Sequence, residues 1–242
     1  MTVETWVRFE GFNDKAGPIS FGQDDGPNTH GPNQAGVFLA QRYDPTDGDP
    51  DHTYLTFALA SEQGQQMVDG HLKGQLTYLG YDLGPDCDRP TPGLCGKQEA
   101  AKVGLGEWVH WAGTYNGMAM KLYVNGNLVA TDSSSQQGDI LFPLGPYIQQ
   151  MNQIHGGWFT LGAYHDASSY AVLNGAMDDL RIWSVALPAT SFSGADRATG
   201  LTCQDPSVDD QAGSLMHYFK FDELAGGSTV ASQVRRDMRE QF

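Results

Sequence analysis

Glu107-Trp-Val-His-Trp-Ala-Gly-Thr-Tyr-Asn-Gly-Met-Ala-Met-Lys-Leu-Tyr-Val-Asn-Gly-Asn-Leu-Val-Ala-Thr131 carries two Asn-Gly pairs, Asn116-Gly117 and Asn125-Gly126, each between segments rich in Trp, Tyr, Val and Thr. Asn and Gly accept the positive φ angles that a two-residue hairpin turn demands, and aromatic and β-branched residues suit the flanking strands. The stretch therefore reads as three antiparallel strands, 107–115, 118–124 and 127–131, in succession. Outward from it the same grammar repeats. Thr2 to Phe9 alternates, with Val3, Thr5, Val7 and Phe9 on one face. Further short strands are read at 18–22, 36–42, 53–60, 74–81, 158–163, 177–183 and 215–222, separated by turns rich in Gly, Pro, Asp and Asn. No segment has convincing helical periodicity. Many short strands with turns between them predict an all-β, antiparallel sandwich of two sheets. Residues 1–195 form the expected domain, with an irregular insertion at about 61–105. Residues 196–242 form a trailer that adds one closing strand to the same domain.

The strand from Met177 to Trp183 poses a local problem. Leu180 and Ile182 share a face, and strict alternation puts Asp178 on that core-side face and Asp179 with Arg181 on the other, as surface charges. A carboxylate at the edge of a core needs a hydrogen-bond partner or a cation, which makes Asp178 a candidate ligand or anchor.

The formal net charge of −15 argues against nucleic acid and against an anionic membrane surface. It suits a soluble extracellular protein or one that binds divalent cations. No apolar run approaches the roughly 18 residues of a membrane span, so no membrane insertion is expected. Of three cysteines, Cys87 and Cys95 bracket a turn-rich loop suited to a local disulfide, and Cys203 is left over, either free or paired elsewhere. Met1 runs straight into a strand without a signal peptide, so the expectation is a module of a larger protein at the cell surface or outside the cell.

Four segments in order resemble the laminin G-like jelly-roll domains: Thr2-Val-Glu-Thr-Trp-Val-Arg8, Trp108 to Gly117 with Leu122-Tyr-Val-Asn-Gly126, Phe159-Thr-Leu-Gly162, and Gly175 to Leu187. The resemblance covers residues 1 to about 190. It implies the concanavalin A-like lectin/glucanase jelly roll, pentraxins included, whose members bind glycans or proteins, often through calcium, while a minority hydrolyse glycosides. It makes the expected partner a glycan or glycoprotein, or other subunits of an extracellular adhesion assembly.

Calcium takes six to eight oxygen ligands, and several loops offer them. Asp24, Asp25 and Asn28 lie in one. By the resemblance Asn33 and Asp166 carry over as ligands, while Tyr164 stands where an acidic ligand is expected. With Asp178 these make the candidate metal set. The run Asp47, Asp49, Asp51 lacks the closing Glu of an EF-hand and is broken by Pro50. Trp158, Tyr164, His165 and Tyr170 are the candidate ligand-binding residues, because sugars stack on flat rings beside polar groups. The Glu-x-Asp-x-x-Glu pattern of retaining glucanases is absent, and adjacent Asp178 and Asp179 cannot flank one glycosidic bond from a regular strand. A non-catalytic module is expected.

Overall fold

The computed structural model describes residues 1–24, 34–43, 53–68, 71–84, 95–142, 147–149, 153–155, 158–165, 170–192 and 212–221. Asp25, Asn28, Asn33, Asp166 and Cys87 lie outside these, as do Asp47, Asp49, Asp51 and Cys203. The fold is an antiparallel jelly-roll β-sandwich. One sheet has six strands in the order β10 (Asn127–Asp132), β9 (Met120–Val124), β8 (Trp108–Tyr115), β1 (Thr2–Phe9), β16 (Gly175–Trp183), β17 (Leu215–Phe219). The facing sheet has five: β13 (Trp158–Leu161), β2 (Ile19–Asp24), β3 (Gln34–Tyr43), β4 (Thr53–Leu59), β7 (Thr77–Asp82). Among the described residues there are also three separate hairpins: β5 (Gln66–Val68) with β6 (His71–Lys73), β11 (Tyr147–Gln149) with β12 (Gln153–His155), and β14 (Ala163–His165) with β15 (Tyr170–Val172). Among the described residues the only helical elements are single 3-10 turns.

Asn125-Gly126 forms the two-residue turn expected of it, with positive φ at both residues between the paired Val124 and Asn127. Asn116-Gly117 instead opens a four-residue connection, 116–119, between the paired Tyr115 and Met120, with positive φ at Gly117 and not at Asn116. The inner faces meet in one core, in which Val3, Val7 and Phe9 of β1 and Trp111 of β8 pack with Leu39 and Phe57 of the facing sheet. The sheets come close together at Gly113, where an added Cβ would stand 2.2 Å from Cδ2 of Phe57. Phe57 occupies the volume that any larger residue at 113 would need.

The stretch expected to be an insertion is built into the sandwich. β7 pairs with β4, and Tyr81, Leu83, Ala101 and Val103 join the core. β7 corresponds to the strand read at 74–81, while the apolar residues of 83–105 are too sparse among Gly, Pro and Asp to show a period in the sequence. Cys95 is disulfide-bonded, and its backbone pairs with Val103. From the expected trailer, β17 closes the six-stranded sheet against β16.

The reading of Asp178 and Asp179 is corrected. Glu4 pairs with Arg181 and Trp6 with Asp178, so Asp179 and Leu180 together oppose Thr5 alone. This is a β-bulge, and Asp179 takes φ 49° within it. The extra residue breaks the alternation. Asp178, opposite Trp6, lies on the outer face, Leu180 and Ile182 stay in the core, and Asp179 and Arg181 are buried at 2% and 5% exposure. Asp178 anchors the bulge itself: its Oδ1 accepts the Asp179 N–H at 2.8 Å, and its carbonyl accepts the Thr5 hydroxyl at 2.8 Å.

Candidate functional site

On the outer face of the six-stranded sheet, polar side chains from four strands are sealed together. Glu4 accepts the indole N–H of Trp183 at 2.9 Å and lies 3.1 Å from His110 Nε2. The Arg181 guanidinium is 4.0 Å from Glu4 and 3.5 Å from Asp179, and the Tyr218 hydroxyl donates to Asp179. Leu187 and Phe192, from the segment after β16, are buried over this face with Tyr123 and Trp183. Burial works against the Arg181 cation, but Glu4 and Asp179 outweigh it and hold the pKa above the ordinary arginine value. No solvent-borne ligand reaches Glu4, at 0% exposure. The cluster ties the closing strands to the first strand and is structural.

The metal and ligand residues expected from the sequence distribute as follows. Asp24 ends β2 opposite Gln34, the first residue of β3; Asp25, Asn28 and Asn33 fall between them in the sequence, outside the described residues. Trp158 pairs with Gly22 near the same end, and at the other end of β13 Leu161 pairs with Ile19. Gly162 then turns the chain, its N–H donating to Pro18 O at 2.9 Å, into the hairpin of β14 and β15. The hairpin carrying Tyr164, His165 and Tyr170, with Asp166 just beyond it, thus leaves the sheet at the end opposite to Asp24. Tyr164 is 2% exposed, packs 5.7 Å from Phe38 and lies under the Lys15 ammonium at 5.6 Å. It is a packing residue with no ring face open to a sugar, which corrects its place in the ligand-binding set. Tyr170 is 65% exposed. Asp178 caps its own bulge from the outer face, whereas Met177 beside it points to the core side, where its sulfur lies near Gly162. The oxygen donors of Asp24, Asp25, Asn28, Asn33 and Asp166 are of the kind calcium takes. Among the described residues no group of three or more His, Cys, Asp or Glu is placed to hold a metal.

The feature that the sequence did not disclose is a cleft of about 1120 Å³ between the two sheets, where β13 and β17 form their edges. Phe21, Phe142, Phe159, Phe219, Met216 and Val185 supply apolar walls, and Asn116, Asp139, Ser184 and His217 supply polar groups. Phe21 stands 5.5 Å from Phe142 and 5.6 Å from Phe159, and Phe159 stands 6.5 Å from Phe219. His217, Phe219 and Phe221 stack in a row along β17 and its continuation, at 6.2 and 6.3 Å. Phe142 and Phe159 are 50% and 45% exposed. Below them, the Tyr115 hydroxyl donates to Gly138 O at 2.8 Å, and the Gly138 N–H donates to Gly117 O at 2.9 Å. Burial pushes the Tyr115 phenol above its ordinary pKa, so it stays a donor. The one sequence signal for the cleft was the spacing by two of His217, Phe219 and Phe221, which marks a strand face but not whether the facing sheet covers it.

Residues 97–191 match a laminin G family described as the concanavalin A-like lectin/glucanases superfamily. Over 39 residues the chain is 59% identical to mouse pappalysin-1, a stretch that is 16% of this chain and 2% of that protein. A solved structure from Bacteroides ovatus, provisionally named a carbohydrate binding protein, aligns with 96% of this chain and 48% of its own at a TM-score of 0.51 and 19% identity. A heptameric pentraxin from Limulus polyphemus aligns with 84% of this chain and 72% of its own, at a TM-score of 0.43 and 16% identity. The chain thus spans about half the length of the Bacteroides protein and a small fraction of pappalysin-1. The Bacteroides structure agrees with the fold described above. No described helix is long and apolar enough to cross a membrane.

Proposed function

We propose that the protein is a non-catalytic recognition module of a secreted or cell-surface protein, that it binds a glycan or glycoprotein, and that the aromatic cleft receives the sugar. The observation that carries this reading is the cleft: open, ring-lined, with a few polar groups among its walls. Sugar C–H faces pack on aromatic rings such as Phe142 and Phe159, while hydroxyls pair with groups such as Asn116 and Asp139. The provisional name of the Bacteroides protein is in keeping with it. The disulfide at Cys95 suits an oxidising compartment. A glycosidase needs two carboxyl groups across the scissile bond. Among the described residues Asp139 is the one carboxylate lining the cleft, and Glu4 and Asp179 are sealed away on the other side of the sheet. Calcium, held by Asp24, Asp25, Asn28, Asn33 and Asp166 in whatever subset the loops bring together, would neutralise acidic side chains and fix the loops that carry them.

A glycan array probed with and without chelator tests the reading. Binding to a defined set of glycans is expected; silence across the array in calcium would remove the glycan reading. Chelation is expected to lower the melting temperature through loss of a ligand of the native state, and an unchanged melting temperature would remove calcium. A second reading, adhesion to a protein partner, is favoured by the exposure of Phe142, Phe159, Val185 and Met216 around the cleft. It predicts capture of an unglycosylated partner, where the first predicts none.

A further inference from the structure

The chain holds three Asn-Gly pairs at described positions: Asn116-Gly117, Asn125-Gly126 and Asn174-Gly175. Asn-Gly is chemically vulnerable because nothing on the glycine shields its amide nitrogen. That nitrogen can attack the asparagine Cγ, forming a C–N bond and expelling the side-chain nitrogen as ammonia. Water then opens the five-membered imide to aspartate or isoaspartate. The fold holds the three pairs differently.

At Asn125, Nδ2 donates to Lys102 O at 2.9 Å, Oδ1 accepts the His110 N–H at 3.0 Å, and the backbone N–H donates to His110 O at 2.8 Å. Turning Cγ onto Gly126 N breaks the two side-chain bonds. At Asn174, the carboxamide nitrogen lies against Gly11, 2.5 Å from where a Cβ would stand. Gly175 is already in the ladder with Phe9, with the Arg8 carbonyl 2.1 Å from its own Cβ position. Reaction there means opening the start of β16.

Asn116 is exposed in the β8–β9 turn. Its Oδ1 accepts the N–H groups of Met118 at 3.0 Å and Ala119 at 2.8 Å. These bonds hold only the side-chain oxygen, which stays on Cγ through ring closure, whereas at Asn125 the departing nitrogen is held as well. Among the described residues no hydrogen bond holds the leaving Nδ2 or the Gly117 amide nitrogen; Gly117 is tied through its carbonyl.

We propose that Asn116 is the chain's site of spontaneous deamidation, and that its conversion adds a second carboxylate to Asp139 among the cleft residues. The inference does not depend on what the cleft binds. The test is peptide mapping by mass spectrometry during incubation of the folded chain at mildly alkaline pH, with a parallel sample in denaturant. In the folded chain the Asn116 peptide is expected to gain the mass of an amide-to-acid exchange several-fold faster than the other two, with isoaspartate among its products. In denaturant the three rates are expected to converge. Conversion of Asn125 or Asn174 as fast as Asn116 in the folded chain would overturn the proposal, as would survival of Asn116 throughout or the same order of rates in denaturant. Asn116→Gln, which lengthens the side chain beyond five-membered ring closure, is expected to remove the early conversion; early conversion persisting at another residue would also overturn it.

Discussion

At the scale of single residues, Glu4 is the most consequential side chain outside the core. It sits at 0% exposure among an indole N–H, an imidazole and a guanidinium. Removing one member of a buried ionic cluster leaves its partners charged and unsolvated. Glu4→Ala is therefore expected to destabilise the fold by about 3–5 kcal/mol, the range for breaking a buried pair, read as a shift in the denaturation midpoint. A loss within the few tenths typical of surface sites would mean that the cluster is hydrated. Asp132 offers a test in pH. Slight burial raises its pKa, but hydrogen bonds from Ser135 and Ser134 outweigh it and hold the value below the usual 3.8. A group whose pKa is depressed by folding contributes stability above its unfolded pKa and loses it as pH falls through the folded value. Asp132→Ala is expected to cost stability at neutral pH, with the gap to the parent closing in acid below that value. A gap that widens in acid would show the sign to be wrong.

At the scale of elements, legibility in the sequence depended on whether one residue type settled the backbone. The β8–β9–β10 meander was legible because an Asn-Gly pair marks each reversal, although only Asn125-Gly126 closes its turn in two residues, and β1 because its alternation is unbroken. β16 was located correctly, and the face of one residue, Asp178, was misassigned. A one-residue bulge is invisible in composition, yet it turns Asp178 from the expected core face to the outer face. Asp179 and Arg181 lie on the face expected for them but are buried there, because Leu187 and Phe192 cover it. Tyr164 was misassigned for a related reason, since a hairpin folded back over the outer face buries what a loop would expose. The contact between sheets can be tested directly. Gly113→Ala places a methyl group into the ring of Phe57 and is expected to cost about 1–3 kcal/mol, as overpacking does. An unchanged denaturation midpoint would show that the sheets can part there without penalty.

At the scale of the whole molecule, two sheets that pack tightly around Phe57 and Trp111 part at the β13 and β17 edges. No single strand encodes that opening. Phe21 alternates with Ile19 as a core residue does, and Phe159 and Phe219 belong to separate sheets that meet only in the fold. The candidate site was thus not legible in the sequence: neither Tyr164 nor Tyr170, named there for ligand binding, is among the described residues that line the cleft. The central claim is that the cleft is the recognition surface. The most direct measurement is the affinity of the double variant Phe142→Ala, Phe159→Ala for a glycan that the parent chain binds. Both rings are about half exposed, so the melting temperature is expected to hold. With each ring contact worth roughly 0.5–1.5 kcal/mol, affinity is expected to fall about tenfold. Undiminished affinity in a folded double variant, with binding lost instead on Tyr170→Ala, would contradict the claim and place the site on the β14–β15 hairpin.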